Sequence, residues 1–259
     1  MSFILMEYDK RIGTITFNRA EKRNSFSAEM LKELIAALDS LEHKKARTVI
    51  IRAQKGTKVW SAGMDISELP DPGRDPLAYH DPIEVALRVI KKFPAPVIAM
   101  VEGGAWGAGC DLCFACDIAI GSPTASFAMT PVKVGVPYNS SGILNFLNIV
   151  GMRIAKEMFF TANPLSAVRA HHLGILNHVV PEEELERFTY EMAGRIAENS
   201  PLAISVIKEQ LRLLAGSHPL SPETFERIQG LRRQAYDSQD YLEGKRAFLE
   251  KRKPKFIGK

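Results

Sequence analysis

The segment from residue 96 to residue 121 constrains the fold of this chain more than any other. It reads PVIAMVEGGAWGAGCDLCFACDIAIG: an apolar stretch, a glycine-rich loop, a helical stretch and a second apolar stretch. Earlier in the chain, the strand-like RIGTITFN is followed by the amphipathic SAEMLKELIAALDSLE, with Ser27 as its predicted N-cap, and then by the apolar RTVIIRA. Fully apolar strands that alternate with helices are typical of a parallel sheet covered by helices. We therefore expect an α/β core.

The second half of the chain has a different, mainly helical pattern. Helical periodicity covers residues 165–173, 182–199, 201–215, 222–237 and 239–252. Residues 68–84 contain four prolines, which predict a long irregular loop of the kind that often forms a lid. We predict a core over residues 1–195 and a helical C-terminal region over residues 196–259, without a flexible linker between them.

Charge and hydropathy exclude several classes of protein. The formal net charge is +4, and no run of consecutive basic residues appears before the C-terminal tail. This favours a small anionic ligand over nucleic acid. No apolar stretch reaches the ~18 residues of a membrane-spanning helix, and the N-terminal apolar run is too short for a signal peptide. We expect a cytoplasmic protein with no membrane partner.

The cysteines and histidines do not predict a metal site. Cys110, Cys113 and Cys116 are the only cysteines, and an iron–sulfur cluster of the ferredoxin type needs a fourth ligand. We interpret them as small side chains of a core helix, and three thiols without an obvious pair fit a reducing compartment. The doublet His171 and His172 lacks the H-E-x-x-H context of a zinc site.

The glycine-rich loop VEGGAWGAGCDL, residues 101–112, allows a ligand to approach main-chain N–H groups where a helix begins. Its glycines are in the wrong order for a dinucleotide fingerprint, and no G-K-[ST] follows for a phosphate loop. A third use is an oxyanion hole. A second donor would come from KVWSAGMDISEL, residues 58–69, which leaves a strand through a Ser-Ala-Gly turn. Tight strand–helix packing is the alternative for either loop alone.

Together, these two segments resemble the crotonase family of acyl-CoA enzymes, and the resemblance extends to NRAEKRNSFS near the start and EGKRAFLEKRKPKF at the end. It implies a spiral of ββα units whose C-terminal helices build a homotrimer, often paired into a homohexamer. It implies an acyl-CoA thioester as substrate and no cofactor beyond the coenzyme A of that substrate. The thioester oxygen would be held by the main-chain N–H groups of Met64 and Ala108.

The resemblance also bears on the reaction. Hydratases of the family use two carboxylates, and here those positions hold Asp111 and Pro131, of which Pro131 cannot act as acid or base. The segment SFAMTPVKVGVPYN instead resembles the branch of the family that decarboxylates methylmalonyl-CoA. Thr130 and Tyr138 would orient the substrate carboxylate, although Thr130 could also cap the following turn. Loss of CO2 into a stabilised enolate needs no proton abstraction, so the segment would need neither acid nor base.

The coenzyme would be bound by the Ser-Ala-Gly turn, by a basic residue of AEKRNS (Lys22 or Arg23) near the pyrophosphate, and by the C-terminus. The residues assigned to it are Ala62, Gly63, Asp65, Ile66, Lys22, Phe248 and Lys251. Phe248 and Lys251 lie three apart, which we interpret as one side of a helix. A solvated basic tail is the alternative.

Three functions follow as hypotheses. The leading one is cofactor-independent decarboxylation of methylmalonyl-CoA to propionyl-CoA. The second is an enoyl-CoA hydratase or isomerase that works through Asp111. The third is a non-catalytic protein that binds acyl-CoA.

Overall fold

A computed structural model describes residues 2–216 and 221–258. Within them the strands are β1 (Ile4–Asp9), β2 (Ile12–Phe17), β3 (Thr48–Ala53), β4 (Val59–Ser61), β5 (Val97–Val101), β6 (Gly104–Trp106), β7 (Ile118–Gly121), β8 (Ser126–Ala128), β9 (Leu165–Ser166) and β10 (His178–Val179). The helices are α1 (Ala28–His43), α2 (Pro82–Lys92), α3 (Ala108–Ala115), α4 (Ser140–Thr161), α5 (Ala167–His172), α6 (Glu182–Glu198), α7 (Pro201–Ala215), α8 (Pro222–Tyr236) and α9 (Gln239–Leu249).

The strands form two sheets. The larger has the order β1-β2-β3-β5-β7-β10, in which only β1 and β2 are antiparallel. The smaller has the order β4-β6-β8-β9, and its first three strands are parallel. The strands β3, β5 and β7 of the large sheet are each followed by a strand of the small sheet and then by a helix: β3–β4–α2, β5–β6–α3 and β7–β8–α4. The predicted α/β core of repeated ββα units is confirmed.

The strongest sequence patterns form the centre of this core. β5 is buried at all five positions, and β3 is buried at every position except Arg52, as expected for strands covered on both faces. Ser27 caps α1 by accepting a hydrogen bond from the Met30 N–H at 3.2 Å. On the other side of the large sheet, Leu185 and Ala193 of α6 pack against side chains of β3, β5 and β7.

Several elements differ from the sequence-based expectation. β1 and α4 were not predicted, and α4 is two helices joined at Gly151, whose backbone has φ 72°. The predicted helix over 165–173 is shorter, because residues 165 and 166 pair with β8. The predicted loop is confirmed between a 3-10 turn that ends at Glu68 and α2, which begins at Pro82. None of the described helices is long and apolar enough to cross a bilayer.

Candidate active site

The two glycine-containing loops meet where α3 begins. Gly63 has φ 88°, and a Cβ built on it would lie 2.6 Å from the Trp106 carbonyl oxygen and 2.9 Å from the Ala108 nitrogen. The Gly63 loop is fixed from its other side, since its carbonyl accepts from the Phe26 N–H at 2.7 Å. Only a residue without a side chain permits this approach. The contact brings the peptide of Met64 beside that of Ala108.

The N–H groups of Met64 and Ala108 are available to a ligand. Ala108 is the first residue of α3, where a helix N–H has no acceptor within the helix. Within residues 2–216 and 221–258, neither N–H donates a hydrogen bond to the protein. Both residues line one cavity of about 60 Å³. The helix dipole of α3 adds positive potential at the same place.

The walls of this cavity divide by polarity. Thr130 and Tyr138 supply its side-chain hydroxyl groups, and Pro131 lies between them in the chain. The large aliphatic and thioether residues of the lining are Met64, Ile66, Leu69, Leu77, Val134 and Val136. In the described part of the chain, no carboxylate, histidine or lysine lines the cavity.

Asp111 lies behind Tyr138 and is fully buried. The Tyr138 hydroxyl donates to its Oδ2 at 2.6 Å, and the Asn145 amide donates to its Oδ1 at 3.0 Å. Burial, together with the charge of Asp111, raises the pKa of Tyr138 well above its usual value, so the phenol stays protonated. The sequence suggested separate roles for these residues, whereas the structure places them in direct contact.

Thr130 lines the cavity, and its hydroxyl forms no hydrogen bond with any other described residue. Its side chain makes no capping hydrogen bond to the turn Pro131–Val134, which removes the capping alternative. Its Oγ1 lies 3.0 Å from the position that a Cβ on Gly107 would occupy. A side chain at residue 107 would therefore crowd this hydroxyl.

A second buried carboxylate, Glu84, was not identified from the sequence. It lies in the first turn of α2, is 5% exposed, and accepts from the Ser141 hydroxyl at 2.9 Å. Burial raises the pKa of Glu84, and the charge of Asp111 raises it further. Its position in the helix gave no signal, because burial here depends on the packing of α2 against the start of α4.

The proposed coenzyme residues lie in two places. The 3-10 turn that contains Lys22 is joined to the Ser-Ala-Gly turn, since the Ala62 N–H donates to the Arg23 carbonyl at 3.0 Å. Asp65 is engaged locally: its carboxylate pairs with Arg19 at 3.1 Å and accepts from the Ser67 N–H at 3.2 Å. Its side chain is therefore tied to the protein, which leaves the backbone of this turn as the contact for a ligand.

The prediction that Phe248 and Lys251 share one side of a helix is wrong. α9 ends at Leu249, and Lys251 has φ 55°, a left-handed conformation that cannot continue the helix. Phe248 is 56% exposed. Earlier in the same helix, a Cβ on Gly244 would lie 2.5 Å from the Val134 carbonyl carbon, so α9 supports the cavity wall from outside.

The tryptophan of the glycine-rich loop and the three cysteines are structural. Trp106 packs against Gly104, where a Cβ would lie 2.4 Å from its ring. Burial raises the pKa of the thiols of Cys110, Cys113 and Cys116 well above the usual value, so they are poor metal ligands and nucleophiles. No group of three potential metal ligands occurs among the described residues.

Comparison with known proteins places this geometry in context. The family model described as enoyl-CoA hydratase/isomerase matches residues 7–259. A methylmalonyl-CoA decarboxylase of Escherichia coli (strain K12) is 51% identical over 248 residues, which cover 96% of this chain and 95% of that protein. A solved structure of methylmalonyl-CoA decarboxylase in complex with 2-nitronate-propionyl-CoA superposes with a TM-score of 0.97 at 49% identity and covers 99% of each chain. A second, complexed with 2S-carboxypropyl CoA, has the same TM-score and identity and covers 100% of this chain and 99% of the other.

Proposed function

The chain belongs to the enoyl-CoA hydratase/isomerase family, and from that premise we propose that it decarboxylates methylmalonyl-CoA to propionyl-CoA and CO2. The observation that carries the proposal is the cavity itself: the residues of two main-chain N–H groups and two hydroxyl groups line it, together with Pro131, at the position where the resemblance implies a carboxylate in a hydratase. The similarity to a methylmalonyl-CoA decarboxylase over nearly the whole chain supports the same activity.

In this proposal the N–H groups of Met64 and Ala108 form the oxyanion hole. The thioester oxygen of the substrate accepts both hydrogen bonds. As the bond between C2 and the carboxylate breaks, CO2 leaves and the bonding electrons form an enolate whose charge concentrates on that oxygen. Donors already fixed in position stabilise this charge more than they stabilise the neutral thioester, so they accelerate the reaction.

Thr130 would orient the carboxylate, because its hydroxyl has no other partner among the described residues. Tyr138 has one proton, which it shares with Asp111, so its first role is to hold the wall of the cavity in place. After CO2 has left, the enolate takes up one proton at C2. The reaction therefore needs no base, and the one proton it consumes arrives after the carbon–carbon bond has broken.

The hydratase alternative requires Asp111 to act on a water molecule in the cavity. Both carboxylate oxygens of Asp111 are engaged, one by Tyr138 and one by Asn145, and the residue does not line the cavity. General base catalysis needs the base within hydrogen-bond reach of the proton it removes. The geometry thus favours decarboxylation.

The proposal extends to coenzyme, assembly and location. We assign coenzyme A to the Ser-Ala-Gly turn, with Lys22, Phe248 and Lys251 as further contacts, and no separate cofactor. We propose a helical region from residue 196 onward that assembles the chain into a homotrimer or homohexamer, because α7 buries none of its side chains within one chain. Nucleic acid and membrane are not expected partners, and the three unpaired thiols support a cytoplasmic location.

The test is incubation of the purified protein with methylmalonyl-CoA and, separately, with crotonyl-CoA, without added cofactor. We expect CO2 and propionyl-CoA from the first substrate and little change in the second, measured by CO2 capture and product mass. Hydration of crotonyl-CoA without CO2 release would establish the hydratase instead. Binding of both thioesters without turnover would establish a non-catalytic binder.

A further inference from the structure

Resting on the function proposed above, we propose that Leu77, in the loop between Glu68 and α2, limits the C2 substituent of the substrate to a methyl group. The proposal concerns specificity and adds a residue that the reaction itself does not require. Three features support this role of Leu77: the volume of the cavity, the separation of polar and apolar residues around it, and the hydrogen bonds that hold the Leu77 backbone.

The size of the cavity matches a small acyl group. Its volume is about 60 Å³. A water-sized group needs ~10–15 Å³ in this measure, so the space holds roughly four to six non-hydrogen atoms. Beyond the thioester carbonyl, a methylmalonyl group has C2, one methyl carbon and the three atoms of its carboxylate. These five atoms fall within that range, and the additional methylene group of an ethylmalonyl group brings the number to its upper limit of about six.

The walls determine how this group is oriented. The carboxylate must lie toward Thr130, since a charged group placed against apolar side chains would lose its hydration without compensation. The C2 substituent then lies toward the apolar wall, to which the loop between Glu68 and α2 contributes Leu69 and Leu77. Both are 6% exposed.

The Leu77 peptide is fixed at both of its polar atoms. Its N–H donates to Asp75 Oδ1 at 2.9 Å, and its carbonyl accepts from the Asn139 amide at 3.4 Å. Asn139 follows Tyr138 directly and caps α4, where it accepts from the Gly142 N–H at 2.9 Å. The cavity wall on the Tyr138 side and the loop are therefore linked through one residue.

Asp75 is in turn held by the C-terminal helices. Both of its oxygens accept from Arg232 of α8, each at 2.6 Å, and Arg232 is 5% exposed. A bidentate pair of this kind fixes direction as well as distance. By contrast, the Leu69 carbonyl is held by Lys245, whose other partner Asp71 is exposed. The backbone of Leu77 is therefore held more rigidly than that of Leu69.

The experiment compares kcat/KM for methylmalonyl-CoA and ethylmalonyl-CoA, by CO2 release, in the wild type and in Leu77→Ala. Because one methylene group is worth about 10- to 200-fold in a hydrophobic pocket, we expect the wild type to prefer methylmalonyl-CoA at least about 10-fold. Leu77→Ala should shift the ratio toward ethylmalonyl-CoA by about 10-fold or more. Leu87→Ala is the control: Leu87 lies in α2, is 4% exposed and does not line the cavity. It should leave the ratio unchanged.

A ratio in Leu77→Ala that stays within about twofold of the wild type would overturn the assignment of Leu77, and so would an equal shift in Leu87→Ala. If Leu77→Ala does not fold, as judged by circular dichroism, Leu77→Val tests the same point, with a smaller shift in the same direction expected. Absence of CO2 release from both substrates in the wild type would instead contradict the proposed function. The two failures are thus distinguishable.

Discussion

Because Gly63 has no side chain, its loop can lie directly against the backbone of the glycine-rich loop at Trp106 and Ala108. In Gly63→Ala the new Cβ would meet backbone atoms of Trp106 and Ala108 at 2.6 and 2.9 Å, so one loop must move and the Met64 and Ala108 N–H groups separate. Loss of an oxyanion-hole donor costs about 100- to 1,000-fold in kcat, and we expect a fall of that size. Gly56→Ala is the matched control, because Gly56 also has positive φ but has open space around it. Wild-type turnover of methylmalonyl-CoA by Gly63→Ala would contradict the oxyanion hole.

Removal of one atom, the hydroxyl oxygen of Tyr138, removes its hydrogen bond to Asp111. Tyr138→Phe removes the 2.6 Å hydrogen bond and leaves a buried Asp111 oxygen without its donor, at a cost of about 1–3 kcal/mol in unfolding free energy. We expect kcat to fall much more than binding of a non-reactive CoA thioester, measured by calorimetry. The control is Tyr190→Phe, because the Tyr190 hydroxyl forms a 2.8 Å hydrogen bond with Thr14 of β2 and does not line the cavity. Equal kcat in wild type and Tyr138→Phe would remove Tyr138 from the reaction.

At the scale of elements, Glu84 connects α2 to the start of α4 through Ser141. Because burial raises its pKa above the usual 4.5, the folded state favours the protonated form. The stability that Glu84 contributes is therefore complete below a pH of 4.5 and is lost as the pH rises through the higher pKa of the folded state. Glu84→Gln mimics the protonated form. The unfolding free energy of this variant should therefore increase relative to that of the wild type as the pH rises toward neutrality.

Urea unfolding at a series of pH values measures this difference. The control is Glu29→Gln, which removes the same charge from the first turn of a helix at an exposed position. A pH-independent difference between Glu84→Gln and the wild type would contradict a raised pKa of Glu84 in the folded protein.

Local signals predicted some elements and missed others for physical reasons. β3 and β5 are apolar on both faces, and α1 has a capping serine and a continuous apolar stripe, so each could be identified from its own residues. α4 could not, because the chain leaves the helical conformation at Gly151 and the periodicity is interrupted there. α9 ends at Leu249, earlier than its pattern suggested, and the left-handed Lys251 follows it.

The active site also has parts that local sequence predicts and parts that it does not. The loops around Gly63 and Gly107 could be predicted, since a close approach of backbone requires glycine in the sequence itself. The contact between Tyr138 and Asp111 joins residues 27 positions apart. The pair Asp75–Arg232 joins residues 157 positions apart. The first contact depends on how the start of α4 packs against α3, and the second on how α8 packs against the loop between Glu68 and α2; no local pattern encodes either.

For the whole molecule, α7 is the helix that we propose to form the interface between subunits. None of its residues is buried within one chain, and its exposed apolar residues include Leu202, Ile207, Leu211 and Leu214, which are 54–74% exposed. So many exposed large apolar side chains on one helix are unusual on a monomer, and a second copy of the chain is the partner that the proposed trimer supplies. We expect the wild type to have a mass of three or six times the 28.8 kDa chain in light scattering.

Charges on that surface should separate the subunits. In Ile207→Lys/Leu211→Lys, assembly would bury two ammonium groups per chain without partners, which costs several kcal/mol per ion, so the mass should fall to that of a single chain. Leu5→Lys is the control, since Leu5 is a 42% exposed apolar residue of β1 outside α7 and its substitution should leave the mass unchanged. If the α7 variant keeps the mass of the wild type, α7 does not form the interface. A further outcome is separated chains that are folded, as judged by circular dichroism, and yet inactive in decarboxylation. That result would show that the active site depends on assembly. A neighbouring chain that covers the coenzyme near the exposed Phe248 would explain it.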